Sequence, residues 1–290
     1  MKLLVTGGKG QLGQSLREII RQRNVEAEFI DIEELDLTDK TSLESYFQNQ
    51  KPDILINCAA YTAVDRAEGE PEKAEAINVK AVENLAIAAR KNNFKIIHIS
   101  TDYVFDGEKK DGYVESDIPN PQTVYGLTKL KGEEKLKEIL RDAIIVRTAW
   151  LYSNYGRNFF LTMRAKALKE ERVNVVGDQT GSPTNADDLA STILNIILSG
   201  KWEAGTYHYS NGGKTTWYEF TREIYRLSGA NPDLVSMISS MEYKSAARRP
   251  ANSLLDKTKI IETFGIEIPY WKDSRRKIIE KRGQTPEIEK

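Results

Sequence analysis

Tyr125 and Lys129 stand four positions apart in Tyr125-Gly126-Leu127-Thr128-Lys129. On a helix that spacing stacks both side chains on one face, about 6 Å apart along the axis. A phenol is a poor acid at neutral pH, but an ammonium one turn away stabilises the phenolate and draws its pKa toward the working range. The pair therefore suggests a proton donor tuned by a cation. About two dozen residues upstream, the apolar run Ile96 to Ser100 ends at Thr101, and the carboxyl ends of strands are where open α/β sheets bind ligands. A threonine hydroxyl there can hydrogen-bond a carbonyl oxygen that Tyr125 protonates, so the chemistry implied is carbonyl reduction. A Tyr four residues ahead of a Lys is also an ordinary amphipathic surface pair. What lifts it above that is the amino-terminal segment.

Lys2 to Thr6 is a short apolar run, followed by Gly7-Gly8-Lys9-Gly10-Gln11-Leu12-Gly13 and a helical pattern over Ser15 to Arg23. Strand, glycine loop and helix in that order form a phosphate cradle. Gly7 permits the tight turn, Gly10 lets the backbone approach a pyrophosphate, Gly13 allows helix to pack on strand, and the helix amino end faces the anion. The next strand, Ala27 to Ile32, carries Asp31 near its end, 18 residues after Gly13, close to the ~20 expected of an acid on an adenosine ribose. That favours NAD, whereas Lys9 suits a 2'-phosphate, so NADH and NADPH both stay open. Asp36 reads either as an adenine contact or as a solvated turn residue, and Thr38 or Asp39 as the N-cap of a helix over Thr41 to Gln50.

With 290 residues the chain can bury a sizeable core, and its formal charge of -1 from 42 basic and 43 acidic side chains offers no field for nucleic acid or membrane. A small-molecule partner is the default. Cys58 is the only cysteine, and its apolar neighbours imply a buried, inert thiol. His98 and His208 lie in strand-like runs without the carboxylate or Cys clusters of a metal site, so no metal is expected from the residues themselves. The chain begins on a strand pattern with no leader, and no apolar run approaches the ~18 residues of a membrane span, which leads us to expect a cytoplasmic protein.

Further strands are expected at Ile54 to Cys58, Ile96 to Ser100 and Ala143 to Arg147, with a helix from Pro71 to Asn92 between the first two. On that helix Asn78 falls on or beside the packing face, either bracing strand ends or lying on the surface. The alternation implies an α/β fold with a doubly wound parallel sheet of Rossmann type. Residues 1–150 form the dinucleotide-binding part, with return segments near 186–210, and 151–185 plus 211–290 form a smaller carboxyl-terminal α/β substrate-binding part. In that half we expect a helix over Asn158 to Glu170, a strand at Val173 to Val176, a loop Gly177 to Thr184, a helix Ala186 to Ser199, a strand Thr206 to Ser210 and a helix Trp217 to Leu227. Arg248-Arg249-Pro250 would suit a diphosphate, and Lys281 to Lys290 reads as a frayed tail.

Taken together, Thr6 to Gly13, Ser100 to Gly107 and Tyr125 to Lys129 resemble the extended short-chain dehydrogenases/reductases, over almost the whole chain. Within that group, Ser100-Thr101-Asp102-Tyr103-Val104-Phe105-Asp106-Gly107, Ala59 to Asp65 and Asp178 to Thr184 are similar to the reductases of dTDP-linked 4-keto-6-deoxy sugars. The resemblance implies a catalytic set of Thr101, Tyr125 and Lys129, and a nucleotide-sugar substrate held by Thr101, Asp102, Trp150 and Arg248. It further implies NADPH or NADH held by Gly7, Gly10, Gln11, Leu12, Asp31, Asp36, Leu37, Ala60, Tyr61, Thr62, Tyr125 and Lys129. It also implies a homodimer, with Mg2+ at the dimer contact in some members. Related dehydratases place Asp-Glu after the Thr; here the pair is Asp102-Tyr103. A phenol in place of the Glu removes the base for elimination and leaves hydride transfer.

Overall fold

The computed structural model describes residues 1–274, so the expected tail at Lys281 to Lys290 lies outside the described residues. In chain order the first half forms β1 (Leu3–Thr6), α1 (Gln11–Gln22), β2 (Ala27–Ile30), α2 (Lys40–Asn49), β3 (Ile54–Asn57), α3 (Ala81–Asn92), β4 (Lys95–Thr101), α4 (Val124–Ile139) and β5 (Ile144–Thr148). The second half adds α5 (Phe159–Leu168), β6 (Val173–Val176), α6 (Ala186–Leu198), β7 (Gly205–Tyr209), α7 (Trp217–Leu227), β8 (Val235–Ile238) and α8 (Thr258–Phe264). Shorter elements lie between them.

Six strands pair in the order β7-β5-β4-β3-β1-β2, all parallel. Because helices cover both faces, β1, β3 and β5 are buried at every position and read as mainly apolar runs, while the edge strand β2 is only half-buried. Leu3, Val5, Ile54, Ile56, Ile97, Ile144 and Val146 pack with α1 and α6. Leu4, Leu55, Ile96 and Ile145 pack with α2, α3 and α4 on the other face. The fold is thus a doubly wound α/β sheet. Its order reverses at β1, which sends β2 one way and β3 the other and opens a crevice at their carboxyl ends.

Local chemistry sets the boundaries. Asp39 caps α2, its carboxylate accepting from Thr41 N (2.9 Å) and Ser42 N (3.3 Å); Asn158 caps α5 through Leu161 N (2.9 Å). The helix expected from Pro71 to Asn92 is interrupted by one π turn at Ala76–Lys80. That turn carries Asn78, which is buried and braces the structure: its Oδ1 accepts from Tyr61 N (2.9 Å), and its Nδ2 donates to Tyr61 O (3.1 Å) and Thr128 Oγ1 (3.1 Å). The loop after β6 contributes the two-residue strands Thr180–Gly181 and Thr184–Asn185.

The backbone of Asn78 approaches α4 so closely that a Cβ on Gly132 would lie 2.1 Å from its carbonyl oxygen. Gly132→Ala should therefore force the two helices apart, lowering stability by about 1–3 kcal/mol in urea unfolding. An unchanged midpoint would show that the contact yields at no cost.

Candidate active site

The crevice at the β1/β3 switch point is a cleft of about 800 Å³, lined by the glycine loop, the ends of β2, β3, β4 and β5, the start of α4, and residues 156–159. Gly7 adopts φ +65°, and a Cβ there would meet Ala59 N at 2.8 Å; a Cβ on Gly13 would meet Gly7 O at 2.3 Å. Only glycine fits either position. α1 starts at Gln11, earlier than its apolar periodicity suggests, and Gly10 as its N-cap provides no side-chain cap. The first-turn N–H groups are left for an anion, the chemistry a dinucleotide pyrophosphate requires.

The remaining residues expected to hold a cofactor divide. Asp31 lines the cleft but is already engaged, Oδ2 accepting from Lys9 N and Oδ1 from Ile32 N, each at 2.9 Å. Lys9 Nζ lies 2.8 Å from Glu33, which offsets its charge. Asp36 accepts from Thr38 N (2.8 Å) and its hydroxyl (2.7 Å), so it shapes its own turn while lining the cleft beside Leu37. Gln11 receives a hydrogen bond from Ser153 Oγ (3.1 Å), and Leu12 puts its side chain in the core. Ala60 and Thr62 line the cleft. Tyr61 does not; its hydroxyl donates to Glu70 (2.7 Å) and its backbone is held by Asn78.

At the centre, Thr101, Tyr125 and Lys129 all line the cleft. Thr101 is the last residue of β4, where its hydroxyl donates to Asp102 Oδ1 (2.9 Å). Tyr125 is 8% and Lys129 2% exposed. Lys129 Nζ donates to Ile99 O at 2.7 Å. The expectation that Lys129 draws the Tyr125 pKa down is overturned: burial pushes the phenol up, Asp102 and Tyr103 add to the rise, and a hydrogen bond with Thr101 opposes it. Burial also lowers the Lys129 amine, to about 8, against the pull of Glu133. Desolvation outweighs the partner charge that spacing alone suggests. Tyr125 accordingly stays protonated across the neutral range.

Asp102 lies beside Thr101 with its carboxyl raised to about 6 by burial, and its Oδ2 is buried without a hydrogen-bond partner. Trp150 forms one wall. Its backbone is left-handed, φ +49°, a strained state for a large side chain that the surroundings must enforce. Its ring stacks on Trp217 at 3.7 Å and 13° and abuts Gly181, where a Cβ would meet the indole at 2.7 Å.

Arg248 is not brought to the cleft: it pairs with Glu108 (3.1 Å) and Gln122 (3.3 Å) outside the lining residues. Arg249 turns inward, its guanidinium on the Tyr103 hydroxyl at 2.9 Å and on Asp65. The sequence reading missed Asp65, Ser253, Arg157 and Phe159. Ser253 Oγ accepts from Trp150 Nε1 (3.3 Å), and Arg157 and Phe159 line the cleft. The available signals were Gly107, where a Cβ would meet Pro250 at 2.5 Å and Ala251 N at 2.9 Å, and the Asn158 cap beside Phe159. Cys58, also on the lining, has its thiol pushed up to about 12 by burial, too high for a nucleophile. Among the described residues, no group of three or more His, Cys, Asp or Glu is placed to hold a metal ion, and no helix is long and apolar enough to cross a membrane.

The family model described as RmlD substrate binding domain matches residues 1–283. The chain belongs to that family. It is 40% identical over 287 residues to a dTDP-4-dehydrorhamnose reductase of Aggregatibacter actinomycetemcomitans, covering 96% of this chain and 98% of the relative. A crystal structure of a dTDP-4-dehydrorhamnose reductase from Clostridium acetobutylicum superposes with a TM-score of 0.93 at 39% identity, covering 98% of this chain and 100% of that one. The reductase from Bacillus anthracis, solved in complex with NADP, gives 0.92 at 36% identity, with 97% and 99% covered. In this RmlD-family cleft the buried Asp102 and the packing of Trp150 each make a prediction.

Folded Asp102, at about 6, holds its proton more tightly than an ordinary carboxyl at 3.8. Its burial therefore costs stability that appears as pH rises from about 4 to 6 and persists above. Asp102→Asn should unfold at higher urea than the wild type at pH 8, by about 2 kcal/mol, with the gap closing as pH falls through 6. A gap of constant size would show that Asp102 is not buried as a carboxylate. Gly181→Ala should displace the Trp150 ring and raise the KM for a nucleotide sugar by about tenfold or more with cofactor affinity unchanged; an unaltered KM would remove Trp150 from the wall.

Proposed function

We propose that this protein reduces dTDP-4-dehydro-6-deoxy-L-mannose at C4, giving dTDP-L-rhamnose, with Tyr125 as proton donor and NADPH or NADH as reductant. The observation that carries this reading is the convergence of Thr101, Tyr125 and Lys129 on one cleft, between a glycine cradle with an uncapped helix end and the Trp150 wall. Family membership supports it, as do relatives named for that reduction.

When bound, a reduced nicotinamide would supply the hydride. The glycine loop and the first turn of α1 would hold the pyrophosphate, with Asp31, Asp36, Leu37, Ala60 and Thr62 along the adenosine side and Lys129 on the nicotinamide ribose. Residues 151–185 and 211 onward form the part that receives the sugar nucleotide. Thr101 and Asp102 hold the sugar, and Trp150 gives it a flat apolar face. Tyr125, protonated by virtue of its burial, passes its proton to the developing alkoxide at O4. As the proton leaves, the Thr101 hydroxyl, whose hydrogen bond already favours the phenolate, stabilises it. Position 103 offers a phenol tied to Arg249 in place of a carboxylate, so no base is set to abstract the proton at C5. A homodimer with Mg2+ at its contact rests on family resemblance, and sedimentation with and without EDTA tests both.

Tyr125→Phe removes the proton and keeps the ring. It should lower kcat by roughly 10²–10⁴-fold while NADPH binding, followed by fluorescence, stays within about twofold. Turnover near the wild-type rate would refute the assigned acid.

A further inference from the structure

Three strands contribute one buried polar row on the face that meets α4. Thr6, Asn57 and His98 are register neighbours on β1, β3 and β4, and all are buried. Thr6 Oγ1 donates to Asn57 Oδ1 at 2.7 Å, and Ala59 N donates to the same oxygen at 3.2 Å. Asn57 Nδ2 lies 3.0 Å from His98 Nδ1, and His98 Nε2 lies 3.4 Å from Lys129 Nζ. The row ends on the amine of the candidate active site.

Its hydrogens can be assigned. A backbone N–H can only donate, so Ala59 N fixes which end of the Asn57 amide is oxygen, and the amide nitrogen must face His98. Nδ1 then accepts. A neutral imidazole accepting at Nδ1 carries its hydrogen on Nε2, which points at Lys129. An ammonium has only hydrogens to present, so two donors would confront each other; an uncharged amine offers a lone pair and can still donate to Ile99 O.

We propose that His98 is a positioning residue for Lys129, locked by Thr6 and Asn57 in the tautomer that turns Nε2–H toward Nζ and so favours the uncharged amine in the unliganded chain. This rests on the role given to Lys129 above. Burial acts in the same direction on both groups, keeping His98 well below the usual imidazole range and Lys129 at about 8. The other groups facing Nζ are few. Cys58, just past the end of β3, is a neutral thiol. Tyr125 shares its helix. Glu133, one turn on, is taken by Arg147 at 2.9 and 2.7 Å and by Ser100. Thr6 ends β1 where the glycine loop begins and Ala59 lies in the loop after β3, so the row ties the geometry of the cofactor cradle to the protonation of Lys129.

The chain has two histidines, and they should be opposite tautomers, because His208 Nδ1 lies 3.0 Å from Tyr113 O, a group that can only accept. Nitrogen NMR of protein labelled with ¹⁵N-histidine therefore reads the proposal without any turnover. His98 should be the Nε2–H form across about pH 6 to 10, with Nε2 moving as Lys129 titrates near 8. An Nδ1–H tautomer, an imidazolium at neutral pH, or an Nε2 that ignores that titration would overturn it. The second arm is His98→Gln, whose amide oxygen can accept from an ammonium. If ammonium at Lys129 is the active form, kcat falls as pH rises through its pKa, and the variant should move that basic limb upward by about one pH unit. A limb coincident with the wild type would also overturn the proposal. If the chain turns over no keto-sugar, the NMR arm still decides.

Discussion

α4 lies so near the strand ends that backbone fills the space where side chains would stand. A Cβ on Gly126 would sit 2.1 Å from Tyr103 O, and one on Gly132 2.1 Å from Asn78 O. Glycine at both positions lets the helix settle against the segment after β4 on one side and the π turn on the other. Tyr125 and Lys129, on that same helix, are thereby pressed into the sheet edge with almost no exposure. Their chemistry follows from this depth, since desolvation raises the phenol and lowers the amine.

The same helix anchors a second buried charge. Glu133 receives both arms of Arg147 from β5 and the Ser100 hydroxyl from β4. Burying an ion pair gains little in net free energy, but leaving either member alone costs several kcal/mol. The arrangement thus penalises any register of α4 that parts Glu133 from Arg147, and Lys129 stands one turn away from Glu133 on the same face. Fixing the one fixes the other. The π turn at Ala76–Lys80 serves the third side, aiming the Asn78 amide at both the Tyr61 backbone and Thr128 on α4.

Much of this was legible in the chain. Unbroken apolar runs alternating with helical periodicity imply a parallel sheet, and the glycine loop between β1 and α1 marks its switch point. Tyr125, Lys129 and Thr101 follow from spacing and from the end of a strand. The sign of the Tyr125 shift did not, because spacing reveals the neighbouring cation while the opposing desolvation depends on packing from distant elements. Arg248 and Arg249 were indistinguishable as residues; only the fold turns one to Glu108 and the other to Tyr103 and Asp65. The row Thr6-Asn57-His98 was hidden for a similar reason, as register across three strands cannot be read from any one of them.

The segment after Arg249 gave the weakest pattern and does some of the closest work. Asn252 N donates to Gly107 O, Ser253 N to Thr180 O, and Thr180 N to Ala251 O, joining the loop after β4 to the loop after β6. Those are the two loops that frame Asp102 and Trp150. Because Gly107 takes φ +79° and would clash with Pro250 if it bore a Cβ, the join admits one backbone path. Arg249, at the start of that path, then lands on the phenol of Tyr103, whose ring meets Tyr125 edge-on at 5.5 Å. Tyr103 is thus fixed from behind by a guanidinium that Asp65 also holds. The phenol at position 103 is therefore held against the ring of Tyr125 from the side opposite its own backbone.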